Sequence, residues 1–333
     1  MKKQNNKTMN WINSIVSFIV GGGVCLGAGC FSDKKVANNH IIEDQSPVAS
    51  SSLTISPDVP AHVTFCGETI DLAKYNLYEG LDRELSGFMY FHSSTMLLFK
   101  RANRYFPVME PILKANGIPD DFKYLAAIES HLDPSAKSPA RAVGMWQFME
   151  STAKEKGLTV TSAVDERYHV QKSTEAACIY LKEAYAKYGD WVSVASSYNA
   201  GMGRISGEFA KQSVASSLDL LLAEETTRYA YRIFAIKLIF ENPYKYGFAL
   251  KAGNLYKPIV CDEETVSNDI SDLVAYAKNH DITYADLKRF NPWLRDTKLH
   301  TNGKSYTILI PRKKDMYYDT PNHKVHDPRW VAR

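Results

Sequence analysis

Residues 122–134 read FKYLAAIESHLDP, and this stretch places an acidic side chain where the local pattern requires an apolar one. Phe122, Leu125 and Ala126 have the i, i+3, i+4 spacing of a buried helix face, and the next position on that face is Glu129. Because burial disfavours the charged form of a carboxylic acid, the pattern predicts a raised pKa and a general-acid role for Glu129. In the alternative interpretation Glu129 is structural and pairs with an Arg or Lys of the following loop.

The surrounding sequence predicts an all-helical domain. Segments of helical periodicity, each ending in Gly, Asn or Pro, follow one another through the middle of the chain. We expect one of these helices to break at Pro107, and the helix that carries Glu129 to end at Asp133-Pro134. A loop over residues 132–148 should follow it.

After Leu250 the pattern changes to that of a small, separate α+β module. YKPIVC (256–261) and SYTILIP (305–311) are typical of strands. SDLVAYAKNHDI (271–282) and TYADLKRFNPWL (283–294) between them are typical of short helices. The predicted fold class is therefore mainly α, with an α+β module after the helical domain.

The amino terminus has the pattern of an export signal. Lys2 and Lys3 precede an uncharged stretch over residues 11–29, which runs into LGAGC (26–30). This ending resembles a bacterial lipoprotein signal in which Cys30 is lipidated; a retained membrane anchor and ordinary cleavage are the alternatives. We therefore expect the protein in the cell envelope, at the periplasmic face of the outer membrane if Cys30 carries lipid.

Composition and charge exclude several classes of protein. A net charge of +3 over 333 residues, without a long basic run, does not fit a nucleic-acid-binding protein. Beyond the signal, Cys66, Cys178 and Cys261 are too few and too scattered for a disulfide framework or a metal site, although a Cys66–Cys261 bridge stays open. The sequence predicts neither a metal nor a cofactor.

Several separated motifs, in the same order, resemble the lytic transglycosylases with a goose-lysozyme-like (SLT) catalytic domain, and among them the relatives of membrane-bound lytic murein transglycosylase D. The resemblance runs from about residue 66 to residue 248. The motifs are FKRANRYFPVMEPILKANGIPDD (99–121), the Glu-Ser pair at 129–130 with PARAVGMWQFM (139–149), SSYNAGMGRI (196–205) and ETTRYAYRIFAIKLIFENPYKYGF (225–248). The resemblance implies a lysozyme-like helical fold and peptidoglycan glycan strands as the binding partner.

Position by position, the resemblance makes Glu129 the single catalytic acid and base. Each further position has an ordinary alternative: a turn residue at Ser138, core packing at Tyr198, or a solvated charge beside Arg228 for Glu225. One departure is Arg141, where the family usually has glycine. The implied substrate-binding residues are Ser138, Gln147, Met149, Tyr198, Asn199 and Glu225.

The resemblance implies a non-hydrolytic reaction, which needs only one carboxyl group. Ordinary glycosidases need two carboxylates, and no second acid here has a comparable sequence argument. The resemblance implies that Glu129 protonates the bond between N-acetylmuramic acid and N-acetylglucosamine, and that the muramic C6 hydroxyl closes a 1,6-anhydro ring. The alternatives are a muramidase that uses water, and a catalytically inactive scaffold that binds the cell wall.

The carboxyl-terminal module resembles a degenerate LysM domain. YADLKRFNPWL and YTILIP match its helix and closing strand, but DEETVSNDIS replaces the usual Gly-Asp-Thr stretch, so glycan binding and a structural role both stay open. The predicted order is a lipoprotein-type signal peptide (1–30), a flexible tether (31–62), the helical catalytic domain (63–250), the LysM-like module (251–315) and a tail (316–333).

Overall fold

The computed structural model describes residues 55–318 and 324–332; the expected signal peptide, Cys30 and most of the expected tether lie outside them. The prediction of a mainly helical chain with a small α+β module is confirmed. In chain order, the elements are β1 (His62–Phe65), β2 (Glu68–Asp71), α1 (Tyr75–Tyr90), α2 (His92–Ala115), α3 (Phe122–Ser130), α4 (Glu150–Glu155), α5 (Val170–Tyr188), α6 (Trp191–Ala200), α7 (Met202–Gln212), α8 (Glu224–Glu241), β3 (Cys261–Val266), α9 (Leu273–Asn279), α10 (Tyr284–Phe290) and β4 (Tyr306–Pro311).

A short hairpin, which is not predicted from the sequence, precedes the helices. Strands β1 and β2 pair antiparallel, from His62 opposite Asp71 to Phe65 opposite Glu68. The two residues between them, Cys66 and Gly67, both have positive φ angles, of 53° and 86°, as the tightest hairpin turns require. Strands of four residues are too short to show clear alternation, and this hides them in the sequence.

Helix α2 runs through Pro107 without the predicted break. A proline removes one backbone hydrogen bond from a helix, which favours a kink or an end. Here Ala102 and Phe106 before the proline, and Met109 and Leu113 after it, are all fully buried. The packing of one continuous apolar face therefore holds the helix together across the proline.

Helix α3 ends three residues before the predicted Asp133-Pro134 stop. Its last residue is Ser130, and His131 and Leu132 both adopt left-handed conformations with φ of 53°. Arg101 stabilises this ending, because its guanidinium group donates to the His131 carbonyl at 2.9 Å and pairs with Asp133 at 3.1 Å. Apart from Glu129 and Lys123, every side chain of α3 is buried.

The carboxyl-terminal module has the predicted order of strand, two helices and strand. Strands β3 and β4 pair antiparallel, with Cys261 opposite Pro311 and Val266 opposite Tyr306. Strand β3 begins at Cys261, later than the predicted start at Tyr256, because β4 ends at Pro311, the residue opposite Cys261. The module's apolar cluster also takes in residues of the helical region, namely Val143, Val164 and Tyr168. The module is therefore packed on the helical region as part of one compact unit.

Part of the predicted tail belongs to the helical core. Trp330 is 3% exposed and lies against the rings of Phe99 and Phe240, and its indole N–H donates to the Phe240 carbonyl at 3.1 Å. Val331 forms a parallel bridge with Leu250.

Among residues 55–318 and 324–332, no helix combines the length and the apolar character that a membrane crossing needs. The thiols of Cys66, Cys178 and Cys261 are free, so the bridge that the sequence left open is not formed.

Candidate active site

Glu129 lies in the last turn of α3, half-buried, and its carboxyl group is held by a tyrosine. The Tyr229 hydroxyl donates a hydrogen bond to its Oε1. Burial raises the pKa of Glu129 to about 7, against smaller lowering effects from the Tyr229 hydrogen bond and the Arg232 charge; the negative charge of Glu225 acts upward. The predicted raised pKa agrees with this result, whereas the pairing with a loop Arg or Lys is not what the structure shows.

Helix α8 brings two groups to Glu129. Tyr229 is 3% exposed, and burial raises the pKa of its hydroxyl well above the ordinary value. Arg232, three residues later, is on the same side of the helix and donates to the Ile128 carbonyl at 3.5 Å. Helix α3 is thus fixed against α8 by a neutral donor and a cation.

The loop after α3 folds back against α3. The Ser130 hydroxyl donates to the Met145 carbonyl at 2.9 Å, and the Gly144 amide donates to the Ala136 carbonyl at 2.8 Å. Gly144 has a φ of 83°, and a Cβ there would lie 1.9 Å from the Arg167 carbonyl oxygen. Only glycine fits this crossing, so the sequence fixes the path of the loop at this point.

Tyr198 approaches the same site from α6. Burial, and then the negative charge of Glu129, raise the pKa of Tyr198 well above the ordinary value. Its hydroxyl donates to the Trp146 carbonyl at 2.8 Å, so it holds the loop. Asn199 follows it, half-buried, two residues before Gly201, which ends α6 with a φ of 86°.

Three predicted site residues lie on the loop, and two of them stabilise it. The Ser138 hydroxyl accepts a hydrogen bond from the Ala142 amide at 3.0 Å, which is the turn role given as its alternative. The Gln147 amide group donates to the Gly144 carbonyl at 2.8 Å, and the backbone of Gln147 has a positive φ of 49°. Met149 is 39% exposed and so remains accessible to a ligand.

Glu225 is exposed at the start of α8. This agrees with its alternative as a solvated charge, although Arg228 pairs elsewhere, since it bonds to the buried Glu84 at 2.6 Å and approaches Glu224 at 3.8 Å. Glu225 lies four residues before Tyr229, on the same side of α8, and is the acid whose charge acts on Glu129.

Comparison with known families identifies this region. Residues 108–218 match the family described as the transglycosylase SLT domain. The chain carries an SLT domain. Residues 262–314 match the soluble lytic transglycosylase C-terminal LysM-like domain, so the two expected resemblances are both confirmed.

Named relatives support these matches. The membrane-bound lytic murein transglycosylase D of Escherichia coli strain K12 is 29% identical over 233 residues, which make up 67% of this chain and 49% of that protein. The peptidoglycan transglycosylase gp16 of Escherichia phage T7 is 38% identical over 94 residues, 27% of this chain and 7% of that protein. The chain thus spans about half the length of transglycosylase D.

Among solved structures, the 70 kDa soluble lytic transglycosylase of Escherichia coli aligns with a TM-score of 0.37 at 21% identity. The alignment covers 43% of this chain and 24% of that one.

The SLT domain match ends before α8 begins. Tyr229, which was not among the predicted site residues, therefore lies beyond the matched residues, as does Glu225. The signal that could have found Tyr229 is its place in the ETTRY motif, one helical turn after Glu225.

Among residues 55–318 and 324–332, no group of three or more His, Cys, Asp or Glu side chains is suited to bind a metal ion.

Proposed function

We propose that this protein is a lytic transglycosylase, which cuts the bond between N-acetylmuramic acid and N-acetylglucosamine in peptidoglycan and leaves a 1,6-anhydro ring. The observation that carries the proposal is the carboxyl group of Glu129. It is half-buried, has a pKa of about 7 and is held by a hydroxyl group. Such a group can donate a proton at neutral pH and afterwards accept one. The SLT domain and the transglycosylase relatives support the same activity.

One carboxyl group serves both proton transfers. Tyr229 donates to Oε1 of Glu129, so we assign the reacting proton to Oε2. That proton passes to the glycosidic oxygen as the bond from this oxygen to muramic C1 breaks. The acetamido oxygen of the substrate stabilises the positive charge at C1. The Glu129 carboxylate then takes the proton of the C6 hydroxyl, whose oxygen bonds to C1, and the acid is restored.

The remaining site residues have proposed roles of two kinds. Ser138, Gln147 and Tyr198 bond to the loop beneath the catalytic helix, which supports a role in shaping the glycan groove. Met149 is accessible and Asn199 half-buried, which supports direct contact with sugar. Glu225 is exposed close enough to Glu129 to raise its pKa, which supports a place at the edge of the groove.

Product analysis tests the activity. The full chain in mild detergent is incubated with purified peptidoglycan, and soluble products are identified by mass spectrometry, with Glu129→Gln as the control. We expect anhydro-muropeptides from the native chain and none from the variant. Wall binding without any product that depends on Glu129 would favour the inactive scaffold instead.

A muramidase is the second candidate, and Glu225 is the observation that favours it. A hydrolase needs a second carboxylate across the groove, at about 5 to 9.5 Å from the acid. Glu225 is the acid that acts on Glu129, and it sits on the helix that faces it. Products with reducing ends that disappear in Glu225→Gln would establish hydrolysis. Anhydro products that persist in that variant would support the transglycosylase.

The location and the domain roles are proposals as well. The lipoprotein-like sequence at Cys30 supports an anchor in the cell envelope, and the name of the membrane-bound relative agrees with it. The LysM-like module over residues 251–315 is proposed to hold glycan strands beside the catalytic domain over residues 63–250. Metabolic labelling with a radioactive fatty acid tests the anchor, because Cys30→Ala should abolish the label.

A further inference from the structure

A cavity of about 410 Å³ lies where the loop after the catalytic helix meets the LysM-like module. We call it the basic pocket, because Lys137 and Arg141 of the loop and Arg295 of the module contribute to its wall. All three side chains are exposed, and none of them forms an ion pair with any residue in the described ranges 55–318 and 324–332.

The other charged groups of the wall are Arg167, Asp165 and Glu150. Arg167 and Asp165 are both buried and form an ion pair at 2.7 Å. Glu150 pairs with Lys154 at 2.6 Å. Arg167 and Asp165 cancel, and the charge of Glu150 is shared with Lys154 outside the wall, so the wall keeps an excess of positive charge, which favours an anionic ligand.

Arg141 occupies a backbone conformation that suits glycine better. Its φ is 68°, a region that side chains with a Cβ adopt only with strain. The backbone itself is held, since the Arg141 carbonyl accepts from Arg167 at 3.3 Å. A strained backbone conformation at an arginine whose charged group lies in a pocket wall indicates a functional role for that side chain.

The module holds its own cation in place. The Arg295 guanidinium group lies 4.4 Å from the centre of the Tyr168 ring, and its backbone amide donates to the Ala163 carbonyl at 2.8 Å. The Val164–Leu294 bridge fixes the same junction. The third positive charge thus exists at the pocket only because the module packs on the SLT domain.

We infer that the basic pocket binds the carboxylates of the peptide branches of peptidoglycan, so that the protein selects peptide-bearing strands. The assignment rests on the proposed function. The sugars of the glycan are uncharged, and its regular carboxylates are those of the peptide attached to each muramic acid. The loop that supplies Lys137 and Arg141 is bonded to Ser130, the neighbour of Glu129, and for this reason we place the peptide branch of a strand bound at Glu129 in the pocket. Arginine and lysine are the side chains that bind carboxylates most strongly.

Binding, measured separately from cleavage, tests the assignment. The full chain with Glu129→Gln is titrated with soluble peptidoglycan strands, either peptide-bearing or stripped by an amidase to leave only the lactyl carboxylate. We expect Kd to be about tenfold lower for peptide-bearing strands at low salt, a preference that shrinks at high salt. Adding Lys137→Gln with Arg141→Gly should remove most of this preference. The glycine suits the positive φ, so the melting temperature should not fall.

A matched control carries the same change of charge elsewhere. Lys114→Gln with Lys211→Gln removes two exposed lysines outside the pocket and should keep the preference. Equal weakening on both kinds of strand, or an unchanged preference in the pocket variant, would overturn the assignment. If the native chain yields no anhydro products but still prefers peptide-bearing strands, the proposed function fails while the binding assignment stands.

Discussion

Helix α8 presents neighbouring residues to two carboxyl groups that differ in their partners. Arg228 bonds to Glu84 of α1 at 2.6 Å, and Arg83 approaches the same carboxylate at 3.3 Å. Tyr229 bonds to Glu129 of α3. Glu84, at 4% exposure, is the more buried acid, yet it is matched by positive charge, whereas Glu129 receives a hydroxyl group. The two acids thus differ in kind of partner: Glu84 is held by arginine cations, and Glu129 by a neutral hydroxyl group.

The largest expected difference is in catalytic rate, which should depend on Glu129 and not on Glu84. Glu129→Gln should lower kcat by about 10³-fold or more, because no other group can supply both proton transfers. Glu84→Gln should leave the rate per folded molecule unchanged. Product release measured on samples of known folded fraction checks this, and a comparable rate loss in both variants would contradict the division of roles.

The free energy of unfolding, in contrast, should depend on Glu84 more than on Glu129. Glu84→Gln leaves Arg228 without its buried partner, and should lower the free energy of unfolding by about 1–3 kcal/mol. Chemical denaturation at pH 7 measures it. Arg228→Gln in the same background serves as the control, since removing the second partner should cost less than the first. An additive double variant would show that the pair is not coupled.

The pH dependence of stability distinguishes Glu129 further. Its pKa in the folded protein, about 7, is raised above the ordinary value, so the folded state binds the proton more tightly than the unfolded state does. Stability is therefore lost as pH rises from about 4.5 to 7, by about 1–3 kcal/mol. Glu129→Gln should remove this loss and be more stable than the native chain at pH 8. Identical pH profiles for the two proteins would show that the carboxyl group is not desolvated.

Tyr229→Phe should have a smaller effect on the rate. Removing the hydroxyl deletes the hydrogen bond that lowers the pKa of Glu129, so that pKa should rise and the fall in rate at alkaline pH should move to higher pH. The rate at pH 7 should drop about tenfold, because the carboxyl group loses its fixed orientation. Tyr198→Phe is a useful comparison, since that hydroxyl bonds to the Trp146 carbonyl and should leave the pH profile in place.

Glu225→Gln should give the smallest change. The charge of Glu225 raises the pKa of Glu129, so its removal should move the alkaline fall in rate to lower pH. The group is exposed and its effect is screened by solvent, so we expect a change of less than about threefold in rate at pH 7. A loss as large as that of Glu129→Gln would instead favour the muramidase.

The sequence predicts features that depend on local pattern. The apolar face that places Glu129 and the order of elements in the LysM-like module both follow from periodicity over a few residues. What it does not predict depends on distant contacts. Tyr229 is 100 residues from Glu129 in the chain, and only folding brings them together. The continuity of α2 through Pro107 depends in the same way on a buried face that the local proline signal cannot reveal.

The ending of α3 shows the same limit on a smaller scale. The sequence favours Pro134 as the stop, yet the helix ends at Ser130, where two non-glycine residues turn left-handed. The Arg101 guanidinium group bonds to the His131 carbonyl from α2 and stabilises this turn. A conformation that is unfavourable by itself is selected because a neighbouring helix supplies the donor.

The parallel bridge between Leu250 and Val331 has a mechanical consequence. The chain leaves the helical core at Leu250, builds the LysM-like module, and returns to the core with Trp330 seated among aromatic rings. The module is thus attached to the helical core at both of its ends. Attachment at two points restricts hinge motion between the module and the helical region, so the position of the module relative to Glu129 should vary little.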